Sequence, residues 1–237
     1  MKVDLTPAFV LHQRPYQESS VLLDVFSEQY GRATLIAKGV RKNKRNQSGL
    51  LQLYQPLLLS WTGRGDLPIV TNIEVDKPRY ILQSEASLCG LYVNELVVKL
   101  LPLNLPEKDV FKAYQQILSY LQQGDHIEIK LRLFEKQLLS HLGYGLALEY
   151  DVETGQKVVQ EQRYIYQADS GLYRVQGQEQ LPSISGRSLK HLVDECGFDK
   201  ESLSEIKQVM RSVIHFYLGG KPLQSRALFA SMQRYAS

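Results

Sequence analysis

Cysteine is scarce in this chain, and its placement does not suit structural chemistry. Only two of the 237 residues are cysteines, Cys89 and Cys196. They lie too far apart for the CxxC pairs of a zinc site or for a disulfide framework. The five histidines are scattered without ligand spacing, and the HExxH, GxSxG and GxGxxG motifs are absent. We therefore expect no bound metal, no other cofactor and no enzymatic activity.

Long hydrophobic runs are also missing. The most apolar stretch, residues 96–105, is interrupted by Lys99 and Pro102, and it is shorter than the roughly 20 residues that cross a bilayer. Asp4 stands where a secretory signal would lead into an apolar core. These features argue against a membrane-spanning protein, and the cytoplasm is the expected compartment.

Acidic residues are absent from one long segment, residues 29–65, although the formal net charge of the whole chain is only +3. The cations of this segment are Arg32, Lys38, Arg41, Lys42, Lys44, Arg45 and Arg64. Most of them fall in the basic segment (residues 38–45), which contains Gly39 and favours a mobile loop. Such a loop suits contacts with phosphate, but a solvated surface turn fits the charge pattern equally well.

The first third of the chain has the pattern of β structure. Apolar segments predict five strands, near residues 9–11, 21–26, 33–37, 51–61 and 68–75. Gly, Pro or polar turn residues separate them. Five antiparallel strands of this length predict a Greek-key barrel of the oligonucleotide-binding (OB) kind, with the basic segment between the third and fourth strands. A small SH3-like barrel is the nearest alternative.

Helical periodicity replaces the β pattern from residue 83 onwards. Six helices are predicted, near residues 84–101, 108–122, 127–142, 188–196, 203–218 and 223–235. Residues 146–180 return to a β-like pattern, which predicts a hairpin inserted between helices. The predicted fold class is therefore α+β, with a five-stranded OB-fold barrel over residues 1–80 and a mainly helical domain over residues 81–237.

Several separated motifs occur along the chain in a distinctive order. They occupy residues 8–26, 30–32, 37–41, 91–96, 134–145 and 217–226. Together they resemble the RecO family of bacterial recombination mediators, most closely its gammaproteobacterial branch, over essentially the whole chain. The resemblance implies an N-terminal OB barrel followed by a helical domain.

The resemblance also implies a function. Proteins of this family bind single-stranded and double-stranded DNA and anneal complementary strands. With RecR they help to load RecA onto DNA coated by single-stranded DNA-binding protein (SSB), in the RecF pathway, and they bind the acidic C-terminal tail of SSB. Such a protein is expected in the cytoplasm, in association with the nucleoid. Many members resemble a four-cysteine zinc module in the region of residues 146–180, which here contains no cysteine, so zinc is not expected.

Candidate DNA contacts follow from the chemistry of annealing, which needs cations that neutralise phosphate while the bases stay free. We assign phosphate contacts to the cations of the acid-free segment named above, centred on the basic segment and extended by Arg32 and Arg64. Tyr30 and Tyr54 are candidates for stacking on unpaired bases, worth about 1 to 3 kcal/mol per base. A place in the core or at a strand edge is the commoner role for such tyrosines.

A separate site is predicted for the acidic tail of SSB. A tail that ends in an apolar side chain needs an apolar groove with a cation at its rim. Arg132 is the candidate cation, because it follows Leu131 beside the apolar stripe of the third predicted helix. A solvent-side ion pair with Glu128, one turn earlier, is the alternative. Lys130 and Lys136 are weaker candidates for the tail.

Two other classes of protein stay open on the residues alone. A protein-interaction scaffold would use the barrel to bind protein, and its basic segment would be incidental. A nuclease would need a carboxylate-metal cluster, and no spacing in the sequence indicates one. Loss of DNA binding after neutralisation of the basic segment, with the fold intact, would distinguish a mediator from a scaffold.

Overall fold

The computed structural model describes residues 2–40, 47–63, 67–177 and 182–236. The chain forms two compact units. The first comprises Met1–Gly124 and Leu223–Ser237, and the second comprises Asp125–Pro222. None of the helices in the described part of the chain combines the length and the apolar character needed to cross a bilayer.

A closed five-stranded barrel forms the centre of the first unit. Its strands are β1 (Lys2–Tyr16), β2 (Ser20–Ser27), β3 (Gly31–Ala37), β4 (Leu57–Thr62) and β5 (Ile69–Val75), and a short helix, α1 (Gln47–Leu50), lies between β3 and β4. The strands close in the order β1-β2-β3-β5-β4, and β1 also pairs with β4. All pairings are antiparallel except that of β3 with β5. This arrangement confirms the predicted OB-fold.

Alternating side chains fill the barrel. Leu23 and Val25 of β2 and Leu35 of β3 are completely buried in its core, as expected where every second side chain of a strand points inwards. Trp61 of β4 joins this core. The apolar alternation that the sequence shows is thus the alternation of the barrel interior.

The first strand is longer than the sequence pattern predicts. Its first half pairs with β4, and its second half pairs with β2 as far as Tyr16 opposite Ser20. Arg14 and Pro15 have the residue types of a turn between the first two predicted strands, but they lie within β1. Proline is tolerated there because this half of the strand has a neighbour on one side only, so one edge needs no backbone donor.

Three helices belong to the same unit as the barrel: α2 (Ser84–Leu100), α3 (Lys108–Gln123) and α7 (Gln224–Ala236). Phe9 and Phe26, on the outside of the barrel, pack against Phe111 of α3 with ring centroids 5.6 and 5.3 Å apart. Asn94 of α2 donates to the carbonyl oxygen of Leu11 at 2.9 Å. The compact unit therefore extends past residue 80, where the sequence pattern places the domain boundary.

The second unit combines helices with a small sheet. Its elements are α4 (Ile127–His141), β6 (Arg163–Gln167), β7 (Gly171–Arg174), β8 (Ile184–Ser185), α5 (Gly186–Asp194) and α6 (Lys200–Tyr217). β6 and β7 form the predicted hairpin, and β8 adds a third strand beside β6. Gly143 follows α4 with φ at +80°, the left-handed conformation in which a glycine commonly ends a helix.

Candidate nucleic-acid interface

The basic segment leaves the barrel at the end of β3. Lys38 is exposed, whereas Ala37 and Val40 on either side of it are buried. Gly39 has φ at +70°, and a Cβ there would meet open space. Residues 41–46 lie outside the described residues, and so do the predicted contacts at Arg41, Lys42, Lys44 and Arg45. Lys38 is thus the described cation of this segment.

An open groove adjoins Lys38. It is lined by residues from the end of β3 and from β5, including Val70 and Ile73. Thr71 and Asn72 contribute exposed polar side chains to it. Hydroxyl and amide groups of this kind contact sugar and phosphate without reading sequence. The predicted contact Arg64 precedes β5 and lies outside the described residues.

The β1–β2 hairpin carries a cation that the sequence prediction missed. Arg14 is exposed and lies opposite Leu22 of β2. In OB-folds the loop between the first two strands belongs to the ligand-binding surface. Because Arg14 precedes a proline, the sequence pattern places it in a turn, and its position on a strand is not visible from the sequence. A strand that continues to Tyr16 places it instead on the arm of the hairpin.

Arg32, a predicted phosphate contact, lies half-buried in a structural position. Its Nε donates to the carbonyl oxygen of Leu101 at 3.0 Å, and its own carbonyl oxygen accepts from the backbone of Asn104 at 2.7 Å. Burial lowers the pKa of Arg32, and the nearby Asp24 carboxylate opposes this effect. The physical reason is that the segment after α2 packs on this end of β3, so the guanidinium satisfies a helix-end carbonyl.

The two candidate stacking tyrosines lie in structural positions. Tyr54 is only 6% exposed, its hydroxyl donates to the carbonyl oxygen of Ser87 at 3.4 Å, and burial raises its pKa well above the ordinary value. The stacking prediction for Tyr54 is therefore wrong. Tyr30 is half-buried and meets Trp61 edge-on, with ring centroids 5.5 Å apart. It packs against the barrel core, which is the structural role that the sequence also allowed.

The sequence pattern places Arg132 at the exposed rim of a groove, but in the structure this residue is buried. Its side chain is 6% exposed and forms an ion pair with the completely buried Glu135, with Nη1 and Oε2 2.8 Å apart. Glu128, the alternative partner, instead pairs with Lys207 at 3.0 Å. The neighbours of Arg132 on α4 are buried as well, among them Leu131 and, one turn further on, Glu135. Arg132 thus lies beside the apolar stripe, but beneath the surface.

Lys136, a weaker candidate for the tail site, is occupied by a helix end. Its Nζ donates to the carbonyl oxygens of Leu192 and Val193 at 2.8 and 3.3 Å and pairs with Glu195 at 2.9 Å. These contacts satisfy carbonyls at the C-terminus of α5, where a cation is favoured. Lys136 therefore stabilises the second unit.

Among the described residues, no cluster of three or more His, Cys, Asp and Glu side chains is arranged to hold a metal ion. Cys89 is buried and Cys196 is exposed, and the two are not joined in a disulfide. The features of the surface are instead a cation at the root of a basic segment, a polar groove and an exposed arginine on the first hairpin of an OB barrel. They define the class of nucleic-acid-binding OB-fold proteins.

Comparison with known proteins agrees with this class. The family described as "Recombination protein O N terminal" matches residues 1–79, and "Recombination protein O C terminal" matches residues 82–227. The chain belongs to the RecO family of DNA repair proteins. The resemblance seen in the sequence motifs is confirmed, and with it a role in DNA repair and recombination.

Full-length relatives carry the name DNA repair protein RecO. That of Nitrosococcus oceani is 41% identical over 235 residues, covering 99% of this chain and 96% of the relative. That of Coxiella burnetii is 42% identical over 227 residues, covering 96% of this chain and 98% of the relative. That of Methylococcus capsulatus is 37% identical over 230 residues, covering 97% and 94%. The similarity therefore extends over both units.

Proposed function

We propose that this chain is a non-catalytic recombination mediator of the cytoplasm and nucleoid. It binds single-stranded and double-stranded DNA, anneals complementary strands, and with RecR helps to load RecA onto SSB-coated DNA. Membership of the RecO family supports the proposal. The observation that carries it is the exposed Lys38 at the root of an acid-free basic segment, beside an open groove of an OB barrel.

The physical argument rests on phosphate repulsion. Two strands approach each other only when their phosphates are neutralised, and lysine and arginine achieve this by releasing condensed counterions. Contacts with phosphate leave the Watson–Crick edges of the bases free to pair. Lys38 and Arg14 provide two described cations on the barrel, and we assign the remaining contacts to Arg41, Lys42, Lys44, Arg45 and Arg64. No bond is made or broken in annealing, so no catalytic group is required.

The contact of Arg132 with the acidic tail of SSB is a further part of the proposal. It requires the tail to replace Glu135 as the partner of the guanidinium, because the two groups are paired in the buried interior. The apolar residues next to Arg132 on α4, among them Leu131 and Phe134, would receive the apolar end of the tail. RecR is proposed as the second protein partner.

The test is annealing of complementary oligonucleotides, bare and SSB-coated, by wild type and by the variant Arg41→Glu/Lys42→Glu/Lys44→Glu. Each phosphate contact to a single strand contributes about 0.7 to the slope of log K against log salt concentration. The variant should therefore lose about two units of slope and most of its annealing of bare strands. Circular dichroism and thermal melting establish that the fold is retained.

A matched control has the same change in net charge on the same unit: Lys77→Glu/Lys108→Glu/Lys112→Glu, at three exposed lysines outside the basic segment. It should retain the wild-type slope. If wild type anneals neither bare nor coated strands, the mediator proposal is wrong and a protein-interaction scaffold takes its place. If both triple variants lose slope equally, binding follows total charge and the assignment to the basic segment is wrong.

A further inference from the structure

An exposed aromatic cluster lies in the second unit, at the C-terminal ends of α4 and α6. Tyr144 and Tyr217 are stacked, with ring centroids 4.0 Å apart and 17° between the ring planes. Phe216 meets Tyr217 edge-on at 5.3 Å. Phe216 is 52% exposed and Tyr144 is 39% exposed. Two large rings therefore remain open to solvent although they belong to an ordered stack.

The stack is held in place by contacts with the hairpin of the second unit. The backbone N–H of Asp169 donates to the hydroxyl of Tyr217. Burial raises the pKa of Tyr217, and the neighbouring Asp169 and Tyr144 raise it further. Tyr217 covers one face of the Tyr144 ring, so a ligand that stacks on Tyr144 must use the other face. The result is a fixed aromatic platform, formed by Tyr144, Phe216 and Tyr217.

The segment of chain that carries Phe216 and Tyr217 contains cations and no acidic residue. No Asp or Glu follows Glu205 in the sequence, whereas cations continue to its end. Arg211 and His215 are one turn apart on α6 and both are exposed, but the side of the helix that they share is turned away from Phe216 and Tyr217 by about a third of a turn. Lys221, just after the helix, is exposed as well. The acidic neighbour identified at the platform is Asp169, at the hairpin turn.

We propose that the aromatic platform stacks an unpaired base of single-stranded DNA, with Lys221, just after the end of α6, contacting an adjacent phosphate. The inference rests on the proposed DNA-binding function and adds a second, base-contacting site in the second unit. A base laid on the other face of Tyr144 continues the existing stack. Every base has a flat aromatic face, so such a contact is independent of sequence, as annealing requires.

The geometry favours a base over an apolar peptide side chain. A peptide side chain needs a concave pocket, whereas the platform presents flat ring faces at the end of a stack. Cations next to exposed rings are the combination that single-strand-binding surfaces use. The acidic neighbour Asp169 engages the stack through its backbone, so its carboxylate is not needed to hold Tyr217 in place.

The test compares binding of two single strands of equal length, an oligo-dT and an abasic strand, which carry the same phosphates but differ in bases. Wild type should bind the oligo-dT more tightly. Tyr144→Leu and Phe216→Ser, measured separately, should each weaken binding of the oligo-dT by about 5-fold or more and leave binding of the abasic strand unchanged. Tyr144→Phe should retain wild-type affinity. Tyr150→Leu, at another exposed tyrosine of the same unit, is the matched control.

The outcomes separate this inference from the proposed function. If wild type binds neither strand, the proposed function itself fails. If wild type prefers the oligo-dT and both platform variants keep that preference, the platform proposal is wrong while DNA binding stands. If the variants retain the preference but lose binding of an acidic peptide, the platform docks protein, which also overturns the proposal. Melting temperatures show that each variant is folded, and either single variant suffices for the test.

Discussion

The buried ion pair of Arg132 and Glu135 in α4 yields a quantitative prediction. The two side chains are 6% and 0% exposed, and their charged atoms are 2.8 Å apart. Arg132→Met removes the cation and leaves the Glu135 carboxylate in the interior without this partner. Breaking a buried pair in this way costs about 3 to 5 kcal/mol, because the remaining charge stays desolvated.

The cost should appear as a large fall in thermal stability. For a protein of this size each kcal/mol lowers the melting temperature by about 2 to 4 °C, so Arg132→Met should melt about 6 to 20 °C below wild type. Glu135→Leu should be destabilised for the same reason. The double variant Arg132→Met/Glu135→Leu buries no charge and should recover to within about 1 kcal/mol of wild type, or exceed it.

Urea unfolding of the four proteins, followed by circular dichroism, measures the coupling between the two positions. The reasoning is refuted if Arg132→Met loses less than about 1 kcal/mol, or if the double variant is as unstable as the sum of the single ones. The stable double variant also tests the tail proposal, because it separates the role of Arg132 from its effect on folding. If that variant binds an acidic SSB-tail peptide as wild type does, Arg132 is purely structural.

Three further predictions concern single contacts of the first unit. Arg32→Gln should lower the melting temperature, since it removes the donor to a backbone carbonyl, and should leave the salt slope of DNA binding unchanged; a smaller slope would return Arg32 to the phosphate contacts. Burial raises the pKa of Glu95, but hydrogen bonds from the first residues of α7 outweigh burial and lower it below the ordinary 4.5. A carboxylate whose pKa is lower in the folded than in the unfolded state stabilises the fold at pH values above its unfolded-state pKa. This stabilisation is lost as the pH falls through the folded-state pKa. Glu95→Gln should therefore destabilise near neutral pH and approach wild type in acid unfolding experiments; a pH-independent difference would contradict this. Gly90→Ala places a Cβ 2.8 Å from the ring of Tyr54 and should cost about 1 to 3 kcal/mol in urea unfolding, whereas Gly145→Ala, whose Cβ meets open space, should be nearly neutral; equal losses in both would show that packing at Tyr54 is not the cause.

Most strands and helices could be predicted because their apolar patterns depend on residues that are close together in the sequence. Period-two alternation found the strands of the barrel, and the 3.6-residue period found the long helices. The failures occur where tertiary contacts override the pattern. The apolar run from Leu51 resembles the start of a strand, but Leu51 is buried in the barrel core ahead of β4. Tyr54 takes φ at +64° so that its ring packs under α2 beside Gly90. A single sequence does not show that partner.

The ends of the helices were also only partly predictable. Ser84 is of a residue type that commonly caps a helix, but the cap of α2 is Gln83, with no side-chain hydrogen bond, and Ser84 itself has φ at +46°. At the start of α6, Asp199 and Ser202 form a reciprocal capping box. A cap can be predicted when the residue types on both sides of the boundary agree, as at α6. The polar residue before α2 had no such counterpart.

Sequence alone could not separate cations that bind DNA from cations that hold the fold. Lys38 and Arg32 lie in the same acid-free segment, yet one is exposed and the other donates to Leu101. Counting charges along the sequence does not distinguish the two residues. They differ because the end of α2 lies against Arg32 and not against Lys38. Burial by residues that are distant in the sequence is not visible in the local sequence pattern. The acid-free segment therefore predicts a basic surface but does not identify which of its cations contact DNA.

The sequence of a helix also does not show directly whether a cation is exposed or buried, and Arg132 is an example. Its possible acidic partners on the helix help to decide between the two. Both Glu128, four residues earlier, and Glu135, three residues later, have the spacing of a helical ion pair. Burial selects between them: Glu135 is completely buried, while Glu128 is exposed and pairs with Lys207. A charged pair within a helix that is apolar on several sides is better assigned to the interior than to a rim, because an isolated buried charge is costly and a neighbouring opposite charge reduces that cost. On this argument, cations of this chain that have no acid one turn away on a solvent-facing helix side, such as Arg211, are the better candidates for contact with a ligand.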